Sequence, residues 1–114
     1  MPTRPLSETK QVRLDGSGNG TASVGPLSAR EVWHPQIVHV QVSSGTDEAV
    51  CNIYAGDAPE QRNFRDATAS GSMGDSSDRV SSDVLRNPDK IFAVWTGGDP
   101  GAVATMTVTG VKDI

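Results

Sequence analysis

The sequence is poor in the residues that usually build a reactive site or a large core. Its 114 residues include one cysteine, two tryptophans, one tyrosine and two phenylalanines, and hydrophobic residues make up only 35%. The single cysteine, Cys51, excludes an intramolecular disulfide framework and a multi-cysteine zinc site. So few apolar and aromatic residues predict a thin core, to which self-association or a partner surface would add support.

Charge and hydropathy exclude further classes of protein. The net charge is −4, and the ten Lys and Arg residues are scattered along the chain. This is not the electrostatic footprint of a protein that binds nucleic acid or anionic lipid. No apolar run is long enough for a secretion signal or a membrane span. We therefore expect a protein made in a cytoplasm, with no nucleic-acid partner and no membrane partner.

Turn residues and short alternating runs are abundant, with 12 glycines and 7 prolines in the chain. Near its end, Ala104, Met106 and Val108 alternate with Val and Thr residues. This alternation is typical of a strand with one buried face. Residues 91–96 form a second β-prone run, and the Gly- and Pro-rich turn at 97–101 between the two runs predicts a hairpin.

The same reasoning predicts β-structure through the rest of the chain. In the long segment 31–43, Val38, Val40 and Val42 share one face, and Pro35 predicts a bend. The other predictions are strands at 10–14 and 21–24 joined by a hairpin turn at 15–20, a strand at 48–55 with Cys51 and Ile53 on one face, a short strand at 62–69, a loop at 71–78, an ambiguous segment at 79–85 and a turn at 87–89.

These elements predict an all-β fold, a single-domain antiparallel β-sandwich of Greek-key or jelly-roll type with seven or eight short strands. Residues 1–9 contain two prolines and no periodic apolar pattern. Since proline cannot donate to a strand ladder, we expect an extended N-terminal arm at 1–9 and the sandwich domain at 10–114. The arm would lie on a neighbouring molecule or remain free.

The residues that carry chemistry lack the spacing that chemistry needs. His34 and His39 have no third histidine to complete a metal site. Asp75, Asp78 and Asp83 do not match the ligand spacing of a calcium loop. There is no nucleophile elbow, and the glycines of the turn at 15–20 are followed by no lysine and no helix for a phosphate loop. We expect no enzyme, no catalytic residue, no cofactor and no metal, and a core position for Cys51.

Trp33, Tyr54 and Trp95 are the candidate surface aromatics. Aromatic faces stack on sugars in lectin-like sandwiches, so these side chains could line a carbohydrate platform. We expect instead that at least two of them pack in the core, where aromatic side chains bury the most area. Solvent exposure of the two indoles distinguishes these interpretations.

The sequence contains a series of turn motifs in a fixed order. These motifs are Leu14-Asp15-Gly16-Ser17-Gly18-Asn19-Gly20-Thr21, Val24-Gly25-Pro26, Glu31-Val32-Trp33, Ile53-Tyr54-Ala55-Gly56, Gly71-Ser72 with Asp75-Ser76-Ser77-Asp78, and the run from Ala93 to Ala102. Taken in order, they resemble the small virion structural proteins of tailed phages of actinobacteria, and the likeness spans roughly residues 10–112.

The resemblance implies a capsid decoration protein that binds the outer surface of the head and stabilises it. Its partner would be the major capsid protein, and it would be synthesised in the host cytoplasm and form a homo-oligomer. The candidate partner-binding residues are those of the arm, Pro2, Arg4, Pro5 and Leu6. The alternative implied by the same likeness is a minor tail or fibre-associated protein, with a tail protein as its partner and a role in binding host carbohydrate.

Overall fold

The structure is a computed structural model, and it describes residues 3–43, 45–68, 76–80 and 83–114. The described residues form nine β-strands and one short 3-10 turn at Gln61–Asn63. The strands are β1 (Thr3–Arg13), β2 (Gly20–Val24), β3 (Val32–Val42), β4 (Val50–Gly56), β5 (Phe64–Thr68), β6 (Ser76–Val80), β7 (Leu85–Arg86), β8 (Lys90–Thr96) and β9 (Val103–Asp113).

The strands build two antiparallel sheets. The β1 sheet has the order β1-β9-β3-β6, with β7 pairing to another part of β3, and the β2 sheet has the order β2-β8-β4-β5. Strands that are consecutive in the sequence occupy corresponding positions in the two sheets: β1 corresponds to β2, β9 to β8, β3 to β4 and β6 to β5. A ribbon of sequential strand pairs wrapped in this way is the jelly-roll topology, which confirms the predicted all-β sandwich.

The core lies between the sheets and follows the alternation seen in the sequence. On β3, Val38, Val40 and Val42 are fully buried, whereas Ile37 on the opposite face is 41% exposed. Strands β9 and β4 alternate in the same way, and both predictions are confirmed. The largest side chains between the sheets include Trp95, Ile53, Ile91 and Met106.

Both predicted hairpins are wrong. The turn at 15–20 joins β1 to β2 and the turn at 97–101 joins β8 to β9, so each connects the two sheets across the core. A strand with one buried face shows the same alternation whether the next strand lies beside it or across from it. Turns of five or six residues are long enough to span the roughly 10 Å between packed sheets, and here they form arches.

The two arches interlock at one end of the sandwich. The Gly98 N–H donates to the Gly18 carbonyl at 3.0 Å, and the Gly97 N–H donates to the Asn19 side-chain oxygen at 3.2 Å. Gly18 has φ +77°, and a Cβ on it would lie 1.9 Å from the Gly98 carbonyl oxygen. Only glycine fits there, because both the backbone conformation and the contact exclude a side chain. The Asp15 carboxylate shapes its own arch by accepting backbone N–H bonds, with that of Asn19 first, and these bonds lower the pKa of Asp15.

A third arch connects β3 to β4, and its described residues 45–47 are attached to the same end by Asp99. The Asp99 carboxylate accepts backbone N–H bonds from Gly45, Thr46 and Asp47 at 2.8 to 2.9 Å. Bonds from backbone N–H groups to a charged acceptor are among the stronger ones in proteins. One carboxylate therefore holds the connection from β3 to β4 against the connection from β8 to β9.

The predicted boundary between an arm and a domain at residue 10 is wrong. Strand β1 starts at Thr3 and pairs with β9 over eleven residues, and Leu6 is 2% exposed. Pro5 is compatible with this strand because β1 is an edge strand, where a residue without an N–H is tolerated. The first residues of β1 are fixed by Asp113, whose carboxylate accepts a bond from Thr3 Oγ1 at 3.0 Å and contacts His34 Nε2 at 3.0 Å.

The remaining predictions are the bend near Pro35 and the irregular segments between residues 71 and 89. The bend expected near Pro35 is confirmed as a β-bulge between Pro35 and Ile37, opposite Gly110, where an added Cβ would lie 2.3 Å from the His34 carbonyl oxygen. The loop predicted at 71–78 is wrong at its end, because residues 76–78 belong to β6 and pair with β3. Residues 71–75 lie outside the described residues. The ambiguous segment at 79–85 holds the end of β6 and the start of β7, and the turn at 87–89 is confirmed by a bond from the Asp89 N–H to the Arg86 carbonyl.

We predict that Asp99→Ala lowers the free energy of unfolding by about 1 to 3 kcal/mol, because three backbone donors lose a charged acceptor. Asp99→Asn keeps one acceptor oxygen without the charge and should lose less. Urea unfolding followed by tryptophan fluorescence measures both. Equal stability of wild type and Asp99→Ala would contradict the role given to this carboxylate.

We also predict that Asp113 stabilises the fold only above acidic pH. The hydrogen bond with His34, and then that from Thr3, lower the pKa of Asp113 below its usual value. A lowered pKa in the folded state means that the stabilisation is complete above the unfolded pKa of about 4 and is lost as the pH falls through the folded value. The stability difference between wild type and Asp113→Asn should therefore shrink below about pH 4. A difference that stays constant down to acid unfolding would contradict the assignment.

Candidate functional site

The outer faces of the two sheets differ in chemistry. On the β1 sheet, the outward positions of β9 include Thr105, Thr107 and Thr109, and Thr107 Oγ1 lies 3.1 Å from Thr9 Oγ1 on β1. On the β2 sheet, the outward positions of β4, β5 and β8 include Tyr54, Phe64 and Phe92. The chain has only five aromatic residues, and three of them are therefore on the solvent side of one sheet.

These three side chains form a row across neighbouring strands, here called the aromatic row. In the strand register Tyr54 lies opposite Phe64 on one side and opposite Phe92 on the other. The Tyr54 and Phe64 ring centroids are 5.8 Å apart with an angle of 76° between the ring planes, an edge-to-face contact. Such contacts stabilise aromatic pairs beyond the area they bury.

Exposure rises toward the edge of the row. Phe92 on β8 is 8% exposed, Tyr54 on β4 is half-buried, and Phe64 on β5 is 36% exposed. Val50, farther along β4 on the same face, is 41% exposed. The apolar surface is thus continuous across three strands and open at its outer end, which is the form of a contact surface for another macromolecule.

Polar residues fix the turn that presents Phe64. Arg62 Nη2 donates to the Asp57 carboxylate at 2.8 Å, and Asn63 Nδ2 donates to it at 3.0 Å. The bond from Asn63, together with the charge of Arg62, lowers the pKa of Asp57. Gly56, with φ +148°, allows the close approach, because a Cβ there would lie 2.5 Å from Asn63 Oδ1. The aromatic row therefore has a charged rim at its β5 edge.

The two tryptophans do not form a surface platform. Trp33 is 3% exposed and Trp95 is 1% exposed, which confirms the expectation that at least two of the three candidate aromatics pack in the core and excludes these two from a surface sugar platform. Trp33 Nε1 donates to Glu31 Oε1 at 3.2 Å, and Trp95 Nε1 has no hydrogen-bond partner within the described part of the chain. Only Tyr54 of the three candidates reaches the outer surface, where it is the centre of the aromatic row.

A second surface feature lies where the edges of the two sheets meet. Strands β1 and β2 are each at the end of their sheet, and between them is a groove of about 350 Å³. Glu8, Lys10, Val24, Leu27 and Trp33 are among its lining residues. Leu27 is 88% exposed, the highest value for a large apolar side chain among the described residues.

The candidate arm residues fall along β1. Pro2 lies outside the described residues. Arg4 and Pro5 are exposed on the strand, and Leu6 is buried in the core. The arm cannot reach a neighbour as an extended segment, since pulling it out would break the pairing with β9 and expose Leu6. The part of β1 that remains open to another strand is its unpaired edge.

The direction of the backbone groups along that edge follows from the end of the strand. The Leu14 N–H donates to the Ala102 carbonyl at 2.8 Å, and the Leu14 carbonyl accepts from the Gly101 N–H at 3.0 Å. In an antiparallel ladder both groups of a residue point to the same side, and the side alternates along the strand. The even-numbered residues of β1 therefore bond to β9, and the odd-numbered ones from Thr3 to Arg13 direct their backbone groups away from it.

The described residues with metal-binding or nucleophile chemistry have structural contacts or a place in the core. His34 contacts Asp113, and Asp83 accepts a bond from Arg65 Nε at 2.8 Å. Cys51 is 1% exposed, and burial raises the pKa of its thiol to about 12, in agreement with a core role. Asp75 lies outside the described residues. Within the described ranges, no group of three or more His, Cys, Asp or Glu side chains is placed to hold a metal ion.

Among the described residues, no helix is both long and apolar enough to cross a bilayer.

The sequence alone does not predict the aromatic row, because its members come together only in the folded sheet. Phe64 and Phe92 are 28 residues apart in the sequence, and only the strand order β8-β4-β5 brings them to the two sides of Tyr54. The alternation of Phe92 with Ile91 and Ala93 on β8 was the available signal for one member, whereas no residue of β5 is buried and nothing marks Phe64 in this way. In comparisons with known proteins, no protein-family model matches the chain, and no curated protein sequence is significantly similar to it.

Proposed function

We propose that this protein is a structural protein of a tailed-phage virion, a decoration protein that binds the major capsid protein on the outer surface of the head. The observation that carries the proposal is the aromatic row of Tyr54, Phe64 and Phe92 on the outside of a jelly-roll sheet. The sequence resemblance to small virion proteins supports the phage context. The fold supports it by analogy, since jelly rolls are frequent in capsid proteins, among many other functions.

The placement of the aromatic residues is unusual for so small a core. Moving a phenylalanine from water into the interior contributes roughly 1.5 to 3 kcal/mol to folding. Of the chain's two phenylalanines and one tyrosine, Phe64 is 36% exposed on this outer face, Tyr54 is half-buried beside it, and Phe92 is largely covered. Aromatic side chains at the centre of interfaces supply most of the binding free energy, and a surrounding polar rim excludes water. The aromatic row and the Asp57–Arg62 ion pair beside it have this arrangement.

The proposed mechanism is binding without chemistry. Each copy would place the aromatic row against a capsid subunit, and the interlocked arches would keep the sheet rigid during contact. Many copies on one shell would add their modest interfaces through multivalency, so that expansion of the head would require many contacts to break together. The extended arm has no part in this mechanism, because residues 3–9 belong to β1.

The alternative is a minor tail or fibre-associated protein that binds host carbohydrate. Tyr54 is the observation in its favour, since it is the one candidate sugar-binding aromatic that is not in the core. Stacking on a sugar requires a flat, open ring face. Because the Phe64 ring stands at 76° to the Tyr54 ring at 5.8 Å, the pair forms an angled surface that suits protein side chains better.

The test compares two exposed apolar side chains on opposite sheets. Phe64→Ser removes the open end of the aromatic row, and Ile37→Ser removes a side chain of similar exposure, 41% against 36%, from the outer face of the β1 sheet. Each variant is added to purified heads from phage that lack the protein, and bound protein is quantified after sedimentation. Loss of an interface aromatic should weaken binding by roughly tenfold or more, whereas Ile37→Ser should bind like wild type.

The result also separates the two locations. Binding to heads that is lost in Phe64→Ser supports the decoration protein. Binding of wild type to isolated tails or to cell-wall glycan, with none to heads, would overturn it in favour of the tail. Equal loss in both variants would show that the aromatic row is not the contact surface.

A further inference from the structure

We propose that a second copy of this chain binds to the free edge of β1, so that two β1 sheets join across a two-fold axis centred on Thr9. The edge is long enough for this, since β1 has eleven residues and no strand neighbour on that side among the described residues. The pairing uses the edge of one sheet, and the aromatic row lies on the outer face of the other. The dimer is therefore compatible with the proposed function and does not depend on it.

Backbone geometry restricts which registers are allowed. The odd-numbered residues of β1 direct their N–H and carbonyl groups outward, so an antiparallel partner must place odd residues opposite odd residues. In each register that meets this condition, the two-fold axis passes beside a single residue of β1, which lies opposite the same residue of the other copy. Pro5, which has no N–H, is at an outward position, where its missing donor affects only the outer ladder and not the pairing with β9.

The charges of β1 select one of these registers. An axis through Glu8 places the two Glu8 carboxylates opposite each other, and an axis through Lys10 does the same with two ammonium groups. An axis through Thr9 places Glu8 of each copy opposite Lys10 of the other, with both residues exposed. Opposite charges at directly paired positions stabilise a sheet and like charges destabilise it.

The apolar residues agree with the same register. With the axis through Thr9, Leu6 of each copy lies opposite Val12 of the other, and both side chains are on the core-facing side of β1. The overlap covers residues 5–13 of each copy, which gives about eight backbone hydrogen bonds once the missing Pro5 donors are subtracted. Neighbouring registers would shift this match or bring like charges together.

The groove between β1 and β2 gives the partner strand a surface to cover. Glu8, Lys10 and the highly exposed Leu27 all line it. A strand added to β1 continues the sheet, so its core-facing side chains would project over the mouth of the groove. Leu27, which is 88% exposed in the single chain, would then be covered.

Charged residues and proline on an edge strand usually prevent pairing with other chains. Here their order is self-complementary, because the strand read in the opposite direction presents Lys where the first presents Glu. These charges therefore disfavour pairing with most other strands and in most other registers, and they favour the pairing of two copies with the axis through Thr9. An isologous contact of this kind closes at two copies and leaves no free β1 edge for a third.

The first experiment tests the charges. Wild type should sediment as a dimer, at twice the 12.0 kDa mass of the chain. Glu8→Lys and Lys10→Glu each create like-charge pairs and should weaken dimerisation by at least about tenfold. The double variant Glu8→Lys/Lys10→Glu restores opposite pairs and should return to the dimer. Wild type that is monomeric at its highest soluble concentration, or a double variant no better than the single ones, would overturn the proposal.

The second experiment tests the register. A bonded antiparallel pair has its Cα atoms about 5.5 Å apart, within reach of a disulfide. Thr9→Cys should therefore form a disulfide-linked dimer under mild oxidation, whereas Ser7→Cys should not, because two copies of residue 7 would be separated by roughly four residues, or about 14 Å. Ser7→Cys mixed with Gln11→Cys should link. Equal linking of Thr9→Cys and Ser7→Cys alone would overturn the register.

The third experiment tests whether the partner covers the groove, by changing Leu27, a side chain that is exposed in the single chain. Leu27→Ser should weaken the dimer roughly tenfold, since burial of one leucine is lost, and circular dichroism should be unchanged. Ile37→Ser, on the outer face away from the edge, is the matched control. If Leu27→Ser dimerises like wild type, the groove is not covered by the partner.

Discussion

The close contact of two glycine-bearing arches is the constraint on which the rest of the structure depends. Where Gly18 meets Gly98, the connection from β1 to β2 rests on the connection from β8 to β9, with no side chain between them. Asp99 adds the arch between β3 and β4 through three backbone bonds. Six of the nine described strands are thereby fixed relative to one another at one end of the sandwich.

That constraint helps to explain how a sequence with so few aromatic residues folds as a sandwich and still leaves Phe64 exposed and Tyr54 half-buried on an outer face. The space between the sheets is filled by Val, Ala, Leu, Ile and Met together with the two tryptophans. The sheets are held together at their connections as well as by these apolar contacts. The aromatic row is then available for a surface whose properties the fold itself does not require.

The features that depend on a few consecutive residues were predicted correctly from the sequence. The alternation on β3, β4 and β9 gave the buried face of each strand, and Pro35 gave the bulge, because side-chain direction and proline geometry are properties of a few consecutive residues. Strand partners were not predictable in the same way. A turn at 15–20 reads alike for a hairpin and for an arch, and the choice depends on Gly98, about eighty residues away in the sequence.

The wrong prediction of an N-terminal arm and the failure to predict the aromatic row have the same cause. Residues 3–9 look like a free arm until β9 is present to pair with them, and Tyr54 looks like an isolated aromatic until β5 and β8 bring Phe64 and Phe92 beside it. Each is a pairing between distant parts of the chain. A single sequence contains the residues of such a pair but not the information that they meet.

The pairing of β1 with β9 also has a consequence for synthesis on the ribosome. The first described strand to emerge is bonded only to the last, with Thr3 opposite Asp113. Until β9 has left the exit tunnel, the nascent chain holds an unpaired β-segment and a sheet that cannot close, and non-local contacts of this kind slow folding. The polar and charged residues that fill most of β1 are well suited to that interval, because they keep an early, unsatisfied strand in water until its partner arrives.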